Sequence, residues 1–416
     1  MALQTSPGKL PSLFRTAAVI TGLASLAVVT ASATEWFQWR GPDRSGVIQQ
    51  DIVQRGSPTF GKVWDAEVGI GCSSLVVADD RLFTVGHDPD ARVDEVFCLD
   101  AKTGAPIWKH KYPADLLARN YEGGPAATPT VDGDTVYVYS REGRLLALNA
   151  ADGQVKWQVD VTKELGGKAP RWMYSTSPLI YGNKVIVDVG GPNASTVAFD
   201  KADGKVIWKS GNDPAGYSSP VLMTVGGKPR VAMFNGYGLV VLDPETGAQT
   251  ARVEWETSYG VNAATPLVIG DGMILISSGY GKGSAMLQVS DGSVKELWRN
   301  KELQSQFLSP VYYQGTIFGF DSGDKRLKAI NARTGDVFWD DRDYGRGGSV
   351  TIAGSTIVVL NELGDLYLAK ATRSGLSDLA EVKAIRPKTW VAPAIEGQLI
   401  YVRNNRGDLV CWRVSS

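Results

Sequence analysis

From residue 61 onward the chain is written in short apolar runs separated by polar turns, and segments with a helical period are almost absent. The runs TVYVYS, KVIVDVG, MILISSG, TIFGF, TIVVL and LIYVR occupy one recurring place in a longer unit. Runs of this length, rich in Val, Ile, Tyr and Thr and bounded by Gly, Asn and Asp, predict strands. Ahead of them stand Thr128-Pro129, Ser177-Pro178, Ser219-Pro220, Thr265-Pro266 and Ser309-Pro310, with weaker versions at Ser73-Ser74, Gly348-Ser349 and Ala392-Pro393. After them comes a third strand ending in Asp100, Asn149, Asp200, Asp243 or Asn331. A turn follows at Gly104, Gly153, Gly204, Gly247, Gly292 and Gly335, then a short strand with Trp108, Trp157, Trp208, Trp255, Trp298 or Trp339.

The unit openings are 39 to 55 residues apart. Four short strands in that span, joined by turn chemistry, are the arithmetic of a β-propeller blade. Eight openings predict an all-β fold, an eight-bladed β-propeller of four-stranded antiparallel blades. The last unit runs out after three strands, and GKVWDAEV at 61–68, with Trp64 in the blade-Trp slot, supplies the fourth. That pairing closes the ring and removes open sheet edges. Seven blades would leave the strand around Trp64 without a partner. The Trp is read as a wedge between neighbouring sheets. The Gly-to-Trp offset of 4 becomes 8 at Trp255 and 6 at Trp298, which predicts bulges or longer turns there. The seventh blade has no Trp near Ala384, so its outer strand is expected to be the loosest.

Residues 1–33 read differently. Lys9 and Arg15 precede the apolar run TAAVITGLASLAVVTA, and Ala31-Ser32-Ala33 offers a small-x-small cleavage site. This is the pattern of a secretory signal peptide, and the competing reading is a membrane anchor. Its removal takes the formal charge from −1 to −3 (−1 − 2). The expected location is periplasmic or secreted, without a lipid-attachment Cys before Cys72 and without an integral span in the mature chain. Residues 34–60 form a leader, and 61–416 the propeller. Balanced charge, with 43 Lys and Arg against 44 Asp and Glu, argues against a nucleic-acid partner. Two His and three Cys give little material for a His metal cage, a zinc ribbon or a disulfide framework.

The repeat Ala101…Thr103-Gly104…Trp108, repeated as Ala332…Thr334-Gly335…Trp339, resembles the tryptophan-docking repeat of the pyrroloquinoline quinone (PQQ) propellers. The leader Trp36-Phe37-Gln38-Trp39-Arg40-Gly41-Pro42 and the stretches at 215–220, 259–266 and 278–283 are similar to secreted bacterial members of that group. The resemblance spans residues 35–416 and implies the fold. For activity it implies two branches. One is quinoprotein alcohol dehydrogenases, with PQQ and calcium in the central funnel. The other is propellers similar to BamB of the outer-membrane assembly machine, which bind protein. The chain departs from the first in having no adjacent Cys pair and no C-x-x-C-H, and from the second in lacking a lipid-attachment Cys.

Functional residues are expected where the inter-blade loops meet the channel. Those loops carry Tyr121, Trp172 with Tyr174, Tyr217, Tyr259, Phe307, Tyr344 and Trp390. Tyr217, Phe307 and Trp390 share one offset, three residues before Pro220, Pro310 and Pro393. They are read as a funnel-mouth surface that stacks a flat ligand, and packing between blades is the competing assignment. Charges near the same rim are Arg119, Glu122, Arg171, Glu256, Arg346 and Lys388. The candidate ligand contacts are therefore Tyr217, Phe307, Trp390, Trp172, Tyr174, Arg171 and Arg346. Asn262, Glu122 and Glu256 are metal candidates only if PQQ and calcium bind, and a solvated rim is the plainer reading. Neither His87, placed in a loop, nor His110 has a Ser and an acid at triad spacing, and no catalytic residue is assigned. Cys98 and Cys411 share the slot filled by Ala147, Ala198 and Ala329 elsewhere, while Cys72 faces the channel as the expected free thiol. The function read from this pattern is a binding or scaffold module for a protein or small ligand, with a PQQ- and calcium-dependent oxidoreductase as the alternative.

Overall fold

A computed structural model describes residues 1–2, 35–372 and 374–416. The signal-peptide assignment falls on residues outside this set. Eight sheets each contain four consecutive antiparallel strands or their equivalent, and together they make the eight-bladed propeller. The first blade is typical: Val76–Ala78, Arg81–Asp88, Val93–Asp100 and Pro106–Pro113, from the channel outward. The eighth is built from Ala394–Glu396, Leu399–Arg403 and Asp408–Ser415, and its outer strand is Thr59–Glu67. The closing strand thus starts two residues earlier than the sequence pattern placed it, and Trp64 pairs with Cys411. Among the described residues, no helix is long and apolar enough to cross a membrane.

The repeated residues have separate physical tasks. Asp100 Oδ1 accepts from the backbone N–H of Lys102 and Thr103, and Asn149, Asp200, Asp243 and Asn331 accept in the same way, so each third strand ends in an Asx turn. The Gly that follows serves the next contact. Gly153 has φ 72°, and an added Cβ would lie 2.5 Å from the Trp108 ring. The indole of one blade lies flat on the turn of the next and donates to its backbone: Trp108 Nε1 to Ala150 O (2.9 Å), Trp64 Nε1 to Ala101 O (3.1 Å). A large ring is buried and its one N–H is satisfied at the same place. The opening Ser and Thr residues form a belt around the channel. Thr128 Oγ1 accepts from Ser74 N, Ser177 Oγ from Thr128 N, Ser219 Oγ from Ser177 N, and Ser309 Oγ from Thr265 N, at 2.7–3.0 Å.

Nothing in the repeat located the leader, and the structure places it inside the channel. Trp36 O accepts from Val77 N, and Phe37 O from Val131 N. Val47–Ile48 adds a fifth, parallel strand to the channel edge of the seventh blade. Arg40 donates to Pro310 O, and Arg44 donates to the carbonyls of Ser177, Pro178 and Pro220. With Trp39 donating to Thr265 of the fifth blade, one short segment touches the inner edges of seven blades.

Three expectations need correction. Trp255 lies beyond the outer strand Gln249–Glu254 and is buried against Ser278, while Ala251 occupies the slot that faces Val241. A bulge is present in both blades, the register shifting between Val241 and Leu242 and between Met286 and Leu287, but the turn before Trp298 is shorter and not longer: Ser290 pairs with Ser293 across two residues, and the strands are eight residues long. His87 sits on the strand Arg81–Asp88 and not in a loop. In the seventh blade the Trp slot is held by Ala380, opposite Leu368, four residues before Ala384. With no ring wedged there, amide exchange over 377–386 should be faster than over the outer strands that carry Trp108 and Trp157. Protection equal to theirs would contradict this.

Candidate functional site

Each inter-blade loop reaches the channel as an extended segment, so successive side chains alternate between the channel and the blades. Position −3 relative to the opening Pro faces the channel. Ala126, Ser175, Tyr217, Ala263, Phe307 and Trp390 all hold it and all line one pocket of about 230 Å³, together with Cys72. Ser177, Ser219 and Thr265, two residues further on, line it deeper. Trp172, Tyr121, Arg119 and Asn120 complete the wall, Tyr280 reaches in from the loop between two strands of the fifth blade, and the leader's Trp39 closes the pocket from the channel side.

The rings brace one another. Phe307 and Trp390 have centroids 5.0 Å apart, and Tyr121 stacks on the other side of the same wall, 6.1 Å from Trp390. Trp172 lies 6.0 Å from Tyr217, and the Tyr217 hydroxyl accepts from Trp172 N at 3.3 Å. Burial raises the Tyr217 phenol and pushes that of Tyr121 up to about 12, so both stay neutral donors at ordinary pH. Burial likewise pushes the Cys72 thiol up to about 12, which keeps it in the thiol form at ordinary pH.

Two of the rim charges pair with each other, and Arg171 rests on aromatic rings. Lys388 lies 3.4 Å from the centroid of the Trp390 ring and 3.5 Å from Glu122. Glu122 also accepts from Asn405 Nδ2 at 3.0 Å, and Asn405 Oδ1 accepts from Trp390 N. Burial raises Glu122, but the bonds from Asn405 and Lys388 outweigh it and hold the carboxyl below its usual range. Arg171 sits over Trp172 and Tyr259 at 5.4 and 5.2 Å.

Of the candidate ligand contacts, the structure brings Tyr217, Phe307, Trp390 and Trp172 into this pocket, with Arg171 at its edge. Tyr174 and Arg346 are elsewhere. Tyr174 stands at −4, so it turns into the blades, where its ring meets Tyr139 and its hydroxyl donates to Val189 O. Arg346 is exposed outside the pocket. The metal candidates do not converge. Asn262 is fully buried, and its amide donates to Asn235 O and Trp255 O while its oxygen accepts from Ser278 and Thr257. Glu256 is exposed, and Glu122 is held by Asn405 and Lys388. Calcium asks for six to eight oxygens, yet no carboxylate lines the pocket. Among the described residues no group of three His, Cys, Asp or Glu side chains is disposed to hold a metal ion. These residues do not fit a calcium-bound quinone. Cys98 and Cys411 are buried, separate thiols.

A second set of residues escaped the sequence reading. Polar side chains at the end of the second strand are buried and hold the mouth loops by their backbone. Arg141 donates to Leu116 O, Asp188 accepts from Gly216 N (2.8 Å), Asp321 from Gln304 N (2.7 Å), and Asn405 from Trp390 N (3.0 Å). His87, buried beside Asp94 at 2.8 Å and against Arg141, belongs to the same layer. A polar residue closing each apolar run was the signal available for them.

Asp188 gives this layer a pH dependence. Burial, with Asp213 nearby, pushes its carboxyl up to about 7 despite the Gly216 bond, and one carboxylate oxygen has no partner. A folded-state value above the unfolded one means that stability is greatest below about pH 4, falls as pH rises towards 7 and then levels off. Asp188→Asn should remove that slope and raise stability at pH 8 by roughly 1–3 kcal/mol. Urea denaturation at pH 5, 6.5 and 8 measures it, and parallel profiles for both proteins would contradict it.

A family model described as outer membrane protein assembly factor BamB matches residues 50–165 and 117–341. Protein Rv3035 of Mycobacterium tuberculosis is 28% identical over 298 residues, 59% of this chain and 66% of that protein. The outer membrane protein assembly factor BamB of Yersinia pestis is 28% identical over 311 residues, 70% of this chain and 72% of that protein. A quinohemoprotein alcohol dehydrogenase, ADH-IIG of Pseudomonas putida, is 27% identical over 173 residues, 39% of this chain and 22% of that enzyme. In three dimensions the chain is similar to BamB from Moraxella catarrhalis, with a TM-score of 0.61 and 17% identity, covering 85% of this chain and 98% of that one. With its eight four-stranded sheets and a family match over more than half its length, the chain belongs to the PQQ-like β-propeller family of the BamB type.

Proposed function

We propose that the chain is an extracytoplasmic binding module whose pocket takes an apolar or aromatic group, presented by a protein partner or a small ligand. The observation that carries this is the composition of the pocket: aromatic rings form its walls, and hydroxyls that line it are already bonded within the protein, Ser175 to Tyr217 O and Thr265 to Trp39. Such a surface rewards apolar contact and offers few unpaired groups for orienting a polar substrate. Its volume of about 230 Å³ is below the ~300–1,000 Å³ usual for whole small molecules. An inserted side chain suits it, which favours a protein partner. The assembly-factor relatives support the same choice and a location outside the cytoplasm.

Binding of the dye anilinonaphthalene sulfonate, followed by fluorescence, tests the pocket. Trp390→Ala and Phe307→Ala should each weaken it by at least about tenfold, with the denaturation midpoint showing that the variant is folded. Unchanged affinity in a folded variant would move the site elsewhere.

A further inference from the structure

We infer that Trp39 sets the depth of the pocket and thereby selects flat groups of limited length. This rests on the binding reading above. Trp39 comes from the leader, so no blade repeat supplies an equivalent side chain. It lies across the channel end of the pocket, half-buried, with Nε1 donating to Thr265 Oγ1 at 2.9 Å. Its neighbours cannot drift: Arg40 donates to Pro310 O and Ser45 O (2.8 Å), and Gln38 donates to Pro42 O. The walls beside it are pinned by the Ser/Thr belt, which ties Ser177 to Ser219 and Thr265 to Ser309. Truncating the indole therefore leaves space that the walls do not refill. A fixed ring across the end of a rigid slot rejects longer ligands by overlap, whereas a movable one would yield.

The test compares naphthalene sulfonate, with two fused rings, and pyrene sulfonate, with four, on the full chain by fluorescence titration. The native protein should favour naphthalene sulfonate. Trp39→Ala should shift the affinity ratio towards pyrene sulfonate by at least about fivefold. Trp39→Phe and Thr265→Val, which cuts the tether but keeps the ring, should shift it the same way by less. If Trp39→Ala does not fold, those two variants decide the matter. A native ratio in folded variants, with binding still lost in Trp390→Ala, overturns depth selection alone. Failure of both probes to bind the native protein, or binding that survives Trp390→Ala, overturns the pocket reading and this inference with it.

Discussion

Replacing Arg44 with Met should lower the stability of the propeller by about 3–5 kcal/mol and expose residues 36–52 to protease. Arg44 is almost completely buried, and no carboxylate among the described residues pairs with it. Its charge is met by neutral oxygens alone: the carbonyls of Ser177 at 3.1 Å, Pro220 at 2.9 Å and Pro178, Gln38 Oε1 at 2.9 Å and the Thr130 hydroxyl at 3.4 Å. These carbonyls sit at the inner edges of two neighbouring blades, where a Pro-containing strand leaves them no ladder partner. Methionine matches the volume but leaves the Ser177 and Pro220 carbonyls and Gln38 Oε1 without that donor, while Pro178 O keeps its bond from Thr130 Oγ1, and unmet buried acceptors cost more than the net worth of the bonds. The backbone adds to the effect. Arg40 and Arg44 have φ of 61° and 62°, a conformation that costs about 1–3 kcal/mol for such residues and survives only when its surroundings enforce it. Arg44→Lys should recover part of the loss, since an ammonium donates to fewer of the five acceptors than a planar fork does. Denaturation midpoints give the energies, and limited proteolysis followed by mass analysis reports release of the leader. A leader that stays protected in Arg44→Met would show that the seal is held elsewhere.

The fold was legible because its signals are local and repeated. An Asp that caps a turn, a Gly that must accept a Trp ring, and a hydroxyl that accepts from the next blade each act within a few residues of one position. Repetition of each in four or five of the eight blades makes the period visible. The site was legible to the extent that it inherits that period. Tyr217, Phe307 and Trp390 share the −3 position, and alternation along an extended segment carries all three to the channel. Tyr174, one place off, turns away for the same reason. Trp39 and Tyr280 stayed hidden because neither has counterparts at a repeated position: one arrives with the leader, the other on an inter-strand loop. Asn262 misled because a polar residue in a rim loop looks the same in sequence whether it faces a ligand or closes four internal hydrogen bonds. Distances of 226 and 270 residues separate Trp39 and Arg40 from the groups they touch, so no spacing rule reaches them.

Trp64→Ala should cost about 3–5 kcal/mol, and it should differ in kind from the same change at Trp157. Both indoles lie over a Gly of the next blade and donate to a carbonyl there, Trp64 to Ala101 O and Trp157 to Lys201 O. Their local losses are therefore alike: a buried ring, one hydrogen bond and a cavity. The chain connectivity is not alike. Trp157 stands on a strand joined covalently to its neighbours within one blade, whereas Trp64 stands on Thr59–Glu67, which is held to Asp408–Ser415 by pairing alone. A second latch, Arg403, donates across the same seam to Ser73 O, Val85 O and Gly69 O. Loosening the seam lets the ring open before the blades melt. Trp64→Ala should lower the slope of the urea transition as well as its midpoint, while Trp157→Ala lowers only the midpoint. Pairing Trp64→Ala with Arg403→Met should then add less than the sum of the two, because either change alone already frees the same seam. Equal slopes for the two Trp variants, with additive seam variants, would mean that closure contributes no more than any interior blade contact.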